Sequence, residues 1–230
     1  MVFPLTIKYG ESAFSNVRRP FFGSTIFENT EFELVIKKSR FICSLARVHS
    51  EQEAQDFITR ISKENRKANH NCYAYLLGDN DQIQRESDNG EPSGTAGVPI
   101  LEALQLAHVH DVCAVVTRYF GGIKLGAGGL IRAYSNATTE AIAQAGLVER
   151  ITQQVVAITV PYRFNDQVHY YLEQAGLALA GEEYGVDVTI RVFINLEEVD
   201  EQIQTLTDRF NHQLQIKKED QRFHEVPLNN

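Results

Sequence analysis

The chain has 230 residues, 43% of them apolar, a formal net charge of −8 and three widely spaced cysteines, Cys43, Cys72 and Cys113, with no CxxC. That length accommodates one large domain or two small ones, and the cysteine pattern indicates neither a zinc ribbon nor a disulfide framework. No apolar run is long enough to cross a bilayer, and the start, MVFPLTIKYGES, lacks the basic and apolar regions of a secretory signal, so a cytoplasmic protein with reduced thiols and no membrane partner is expected. The charge is uneven. Residues 1–151 hold 16 basic and 17 acidic side chains, whereas the remainder holds 6 and 13, which leaves the first part free to carry a local basic face.

Residues 1–30 lack periodicity and are expected to form an arm. Strands are predicted at Phe32 to Ile36 and Phe41 to Val48, around a turn at Lys37, Lys38 and Ser39. Ser50 and Glu53 read as a capping box, followed by a helix whose apolar face is Ala54, Phe57, Ile58 and Ile61. Asn71 to Leu77 and Ile83 to Ser87 flank turn residues and predict a hairpin. Pro99 suits the first turn of a helix through Ala107. The run VCAVV, Val112 to Val116, predicts a strand buried on both faces. A glycine-rich connector follows, and then a helix with Leu130, Tyr134, Ala137, Ala141 and Ala145 on one face and Gly146 as its stop.

The remaining pattern is strand (Val155 to Val160), helix (Val168, Tyr171, Leu172, Ala175), two strands around Gly185, a helix (Val199, Ile203, Leu206, Phe210) capped by Asn195 with Glu198, and a last strand from Gln213 to Lys218. This is βαββαβ, the ferredoxin-like plan. The expected division is an arm over 1–30, a first domain over 31–150 and a ferredoxin-like domain over 152–222. The fold class is α+β.

The connector GGIKLGAGG is the segment richest in chemistry. Gly121, Gly122, Gly126, Gly128 and Gly129 allow unusual backbone and close approach of a ligand. The connector runs into a helix start, whose free amides and dipole favour an anion. Lys124 and Arg132 add charge. The spacing matches neither G-x-x-x-x-G-K-[ST] nor G-x-G-x-x-G, and the bland alternative is close packing of helix on strand. A second loop, SDNGEPSGTAG, offers Asp88, Glu91, Ser93 and Thr95 as binding groups, or as a rigid turn bonded to its own backbone. It has no EF-hand order and no nucleophile elbow. His70 and Cys72 would share a strand face, either as a nucleophile pair or as packing groups. His108 and His110 are expected in a solvated turn rather than at a metal. Arg60, Lys63 and Lys67, spaced i, i+3, i+7, are candidates with Arg118 for contact with RNA phosphates, or else form a solvated face. No catalytic residue, metal site or cofactor is assigned.

Four stretches resemble the YigZ/IMPACT family: KSRF (Lys38 to Phe41), HNCYAY (His70 to Tyr75), DNGEPSGTAGVPIL (Asp88 to Leu101) and VVTRYFGGIKLGAGGLIRAYS (Val115 to Ser135). Asn89 stands where many members have a second Asp, and Val98 where many have a basic residue. The resemblance implies a first domain of the type shared by ribosomal proteins, elongation factor G and GHMP kinases, followed by a ferredoxin-like domain. It also implies a role linked to translation and to RNA or the ribosome. Two functions of different class follow: a translation-associated nucleic-acid or ribosome-binding module, or an enzyme acting on a small phosphorylated or nucleotide substrate at the glycine loop. A phosphate-type anion is a partner in both, and the protein partner is unknown.

Overall fold

The computed structural model describes residues 22–78 and 80–228. The first sheet is antiparallel, in the order β2 (Thr30–Ile36), β3 (Ser39–Arg47), β6 (Val112–Tyr119), β4 (His70–Leu77), β5 (Ile83–Ser87). Helix α1 (Glu51–Glu64) joins β3 to β4, with β6 inserted between the two strands. Alternation of side chains across the sheet builds two cores. Phe41, Cys43, Leu45, Cys72, Ala74, Val112, Ala114 and Val116 face α2 (Gly97–Leu106) and α3 (Ala127–Ala145). Ala46, Val48, Tyr75, Leu77, Cys113 and Val115 face α1, which buries Ala54, Phe57, Ile58 and Ile61. The VCAVV run is apolar throughout because both of its faces are covered.

Ser50 caps α1 as expected, its hydroxyl accepting from the Glu53 amide at 3.2 Å. The Glu53 carboxylate accepts from the His49 amide, one residue earlier than a standard capping box. Helix α3 stops at Gly146, whose φ of 68° and ψ of 164° are open to glycine and costly for residues with a Cβ.

The second sheet is antiparallel and runs β10 (Gln215–Pro227), β7 (Leu147–Val160), β9 (Val188–Asn195), β8 (Leu179–Tyr184). With α4 (Asn165–Gln174) and α5 (Val199–Arg209) on one face, this is the ferredoxin-like arrangement. Helix α5 lacks the expected Asn195 cap. The Asn195 side chain instead donates to the Glu198 carboxylate, and Glu198 occupies the cap position without a side-chain bond.

Three boundaries differ from the sequence reading. Strand β1 (Phe22–Ile26) lies inside the segment expected as an arm and pairs with the start of β7; residues 1–21 of that arm lie outside the described residues. The polar stretch at Glu149 to Gln154 is the middle of the 14-residue β7 rather than a linker. Strand β10 continues to Pro227 along it. The polar residues are tolerated because the β7 ladder satisfies their backbone, while Gln153 and Gln154 bond Asn195 and the Glu219 carbonyl. We propose that the two units divide at Gly146, ahead of β7. Fragments 22–146 and 147–228 should each unfold cooperatively, whereas a cut at Ile151 should leave its C-terminal piece less stable; equal stability of the two C-terminal pieces under denaturant would contradict this.

The units are latched by Glu225 on β10. Arg47, at the end of β3, donates to both Glu225 oxygens at 2.9 Å, and Arg150 reaches it at 3.4 Å. Burial pushes the Glu225 carboxyl up, but bonds and charges from Arg47 and Arg150 outweigh it and hold the group below its ordinary value. The folded carboxylate therefore binds its proton less tightly than the unfolded one. Its contribution is complete above the ordinary carboxylate range and is lost as pH falls through the folded value. Glu225→Gln should cost about 1 kcal/mol near neutral pH, and the gap to the parent should close by strongly acidic pH in thermal unfolding. A gap that is constant with pH would contradict the latch.

Candidate functional site

One end of the first sheet gathers the segments singled out in the sequence. Arg40 of β3 lies opposite Tyr119 of β6, and His70 of β4 lies opposite Arg118. The β2–β3 turn, the last turn of α1 and the loop into α3 therefore meet at this end. The turn is two residues long, with Lys37 and Lys38 both at positive φ (45° and 66°), the form that matches the twist of a hairpin. Gly121 lies against it. A Cβ there would collide with the Lys38 backbone, and the Gly121 amide donates to the Ser39 hydroxyl at 3.1 Å. Asn69 accepts from the Phe120 amide at 2.8 Å, and the Tyr119 hydroxyl donates to Asn65 at 2.9 Å. The start of the connector is thus fixed by packing, which is why its first glycine is needed.

Beyond Gly121 the connector opens to solvent. Gly122, Ile123, Lys124, Gly126, Ala127 and Gly128 are exposed, as is Arg132 one turn into α3, while Gly129 is half-buried against Leu125. Gly126, with φ 71°, precedes the helix without a side-chain cap. The Ala127 and Gly128 amides at the start of α3 have no partner within the helix, whereas those of Gly129 and Leu130 donate to the Gly126 carbonyl at 3.1 and 3.0 Å. The loops and helix ends at this end of the sheet carry Lys37, Lys38, Lys63, Arg66, Lys67, Lys124 and Arg132, all exposed and none with a carboxylate within 4.0 Å among the described residues.

The expected basic stripe on α1 is corrected in two respects. The helix ends at Glu64 with Asn65 as its C-cap, so Lys67 lies in the following turn, off the helical spacing. Arg60 is 3.8 Å from Glu64 and lies over the Phe57 ring, so its charge is already partnered. What Lys63 and Lys67 share with Lys124 is an end of the sheet, where Asn65 and Asn69 of the same turn bond Tyr119 and Phe120, not a common helix face.

Arg118 is also corrected: only 6% of it is exposed, so it offers nothing to a surface phosphate. Its side chain lies on the α2/α3 side. There Nη1 bonds Glu91 Oε1 at 2.5 Å, and the guanidinium lies over the Phe41 and Phe120 rings at 5.3 and 5.5 Å. Glu91, with a side chain 3% exposed, also accepts from the Tyr134 hydroxyl at 2.8 Å and has His70 Nε2 3.9 Å from its other oxygen. Two buried charges persist only when paired and hydrogen-bonded in this way.

Asp88 supports the cluster from the loop. It accepts from the amides of Gly94, Ala96 and Gly97 at 2.7 to 2.9 Å. Burial raises its carboxyl, but these backbone bonds prevail and hold it below its ordinary value. Thr95, buried, donates to the Pro92 carbonyl at 2.6 Å, whereas Ser93 is exposed. Cys72 does share the strand face of His70. Burial pushes its thiol up to about 12, however, and its sulfur lies 2.9 Å from the Asp88 carbonyl and 3.4 Å from the Tyr134 hydroxyl. A thiol so held is a packing group rather than a nucleophile. His110, expected in a solvated turn, has Nδ1 2.6 Å from Asp81, while His108 is exposed. Among the described residues no three His, Cys, Asp or Glu side chains are grouped to hold a metal ion, and no helix is long and apolar enough to cross a membrane.

Comparison with known proteins now decides the family. The Impact N-terminal domain matches residues 37–142, and a Domain of unknown function (DUF1949) matches residues 158–213. The chain is 43% identical over 205 residues to the IMPACT family member YvyE of Bacillus subtilis, covering 89% of this chain and 94% of that protein. The chain belongs to the IMPACT family. YigZ of Escherichia coli, an IMPACT family member, is 34% identical over 183 residues, covering 79% of this chain and 90% of that one. A solved structure titled as a hypothetical protein shares the fold with a TM-score of 0.54 and 31% identity, over 86% of this chain and 97% of the other. The Impact match encloses both the buried cluster and the basic end, so the site lies within the family's own domain.

Truncating Glu91 should leave Arg118 as an uncompensated buried charge. Glu91→Ala is expected to cost about 3 kcal/mol or more in denaturant unfolding, and Tyr134→Phe about 1 kcal/mol. A loss from Glu91→Ala below that from Tyr134→Phe would contradict the ion-paired reading.

Proposed function

We propose that this protein is a translation-associated regulatory protein whose first domain binds RNA, free or within the ribosome, through the basic end of its sheet. The observation that carries the reading is the set of exposed cations without carboxylate partners, from Lys37 to Arg132, on the segments that meet at one end of the first sheet. Of the Gly126 to Leu130 backbone, the amides of Ala127 and Gly128 are the ones left for an anion, those of Gly129 and Leu130 donating to the Gly126 carbonyl, and Lys124 and Arg132 supply charge nearby in sequence. Membership of the IMPACT family and the translation link implied by the sequence resemblance supply the context. The acidic excess of the second domain keeps polyanions to the first. The alternative, an enzyme acting on a small phosphorylated or nucleotide substrate, draws no support from the groups around the loop: Glu91 is committed to Arg118 and Tyr134, and Cys72 is a buried thiol.

RNA affinity of the full chain should fall steeply with salt, because each phosphate contact releases counterions. Lys124→Ala and Arg132→Ala should each lower the slope of log affinity against log salt by about one, while Lys217→Ala in the second domain should leave it unchanged. Absence of RNA binding at low salt, or slopes equal for all variants, would overturn the proposal.

A further inference from the structure

Phe120 is 45% exposed, yet its backbone is held on both sides. Its amide is bonded to Asn69, its neighbour Gly121 is locked against the Lys38–Ser39 backbone, and its ring rests on the Arg118 guanidinium at 5.5 Å. Arg118 is in turn fixed by Glu91 and by the Phe41 ring, and Phe41 packs edge-on to Tyr134 at 5.2 Å. The buried Nε of Arg118 has no hydrogen-bond partner among the described residues; the rings are what the guanidinium packs against. A column of buried groups, Tyr134, Phe41 and Arg118, thus ends in one aromatic ring turned to solvent, with unpaired lysines on the adjoining turn and connector. With the backbone held at Asn69 and Ser39, the ring stays at the surface beside these cations.

We infer that Phe120 is a stacking platform for an unpaired nucleobase, and that the RNA bound at this end is single-stranded. This rests on the RNA-binding reading above and narrows its substrate. A rigid, exposed aromatic beside a cationic track is the combination that holds single strands without sequence preference, because every base has a flat face and only unpaired bases can present it. A duplex keeps its bases stacked and offers the lysines phosphates alone. In this account Arg118 and Glu91 never touch the ligand. They are positioning residues that hold the platform at a set height above the sheet.

The chain contains no tryptophan, so Phe120→Trp installs a single reporter in the full-length protein. Titration with short oligouridylate and oligoadenylate should quench its emission at saturating concentrations, and high salt should restore it. Phe120→Leu, which keeps an apolar side chain and the fold, should bind the same single strands about ten-fold more weakly with an unchanged salt slope. That signature is distinct from the reduced slope of Lys124→Ala. A short RNA duplex should bind the parent and Phe120→Leu equally. If the parent binds no RNA at low salt, the underlying function fails and this inference with it. If the parent binds but the Trp emission is unmoved, or Phe120→Leu binds single strands as the parent does, the phosphate surface stands and the stacking platform is wrong.

Discussion

The buried pair of Arg118 and Glu91 is the constraint on which the glycine-rich end of the first domain depends. Each charge alone would be too costly to keep where it is. Together, with the Tyr134 hydroxyl bonding Glu91 and two aromatic rings against Arg118, they join four otherwise separate pieces of chain: the end of β6, the loop after β5, helix α3 and the start of β3. The loop after β5 can meet this pair only because Asp88 has already folded it around three backbone amides. The cluster is therefore a structural keystone, and the polar residues that look chemically rich in sequence are turned inward by it.

What remains outside the cluster is correspondingly simple. The connector from Gly121 to Gly129 shows two uses of glycine within nine residues. Gly121 permits close packing on the Lys38 backbone, and Gly126 permits the positive φ that starts α3 facing solvent. The end of the connector next to Phe120 is immobilised, while the other end opens to solvent at the start of α3. Binding surfaces built on such a frame lose little order when a ligand arrives.

Much of this was legible beforehand, and the reasons are local. The strands around Lys37, the capped helix at Ser50, the buried VCAVV strand and the helix ended by Gly146 each carry their signal within a few residues. Strand β1 and the length of β7 and β10 do not, since a polar segment such as Glu149 to Gln154 becomes a strand only through partners far away in the chain. The same holds for the site. The glycine loop and its cations could be picked out, but Arg118 reads as one more cation until β6 places it on the inner face opposite His70. Lys67 lies off the helix because α1 ends at Glu64 with Asn65 as its cap, which the apolar spacing alone does not encode. Phe120 carries no signal of its own, because exposure is a property of the fold.

The central claim is that the end of the first sheet, and not the second domain, meets RNA. Amide hydrogen exchange on the full chain with and without saturating single-stranded RNA tests it directly. The account predicts slowed exchange at residues 63–69 and 120–132, with β7, β8 and β9 unchanged. Protection confined to the second domain, or none at the start of α3, would contradict it.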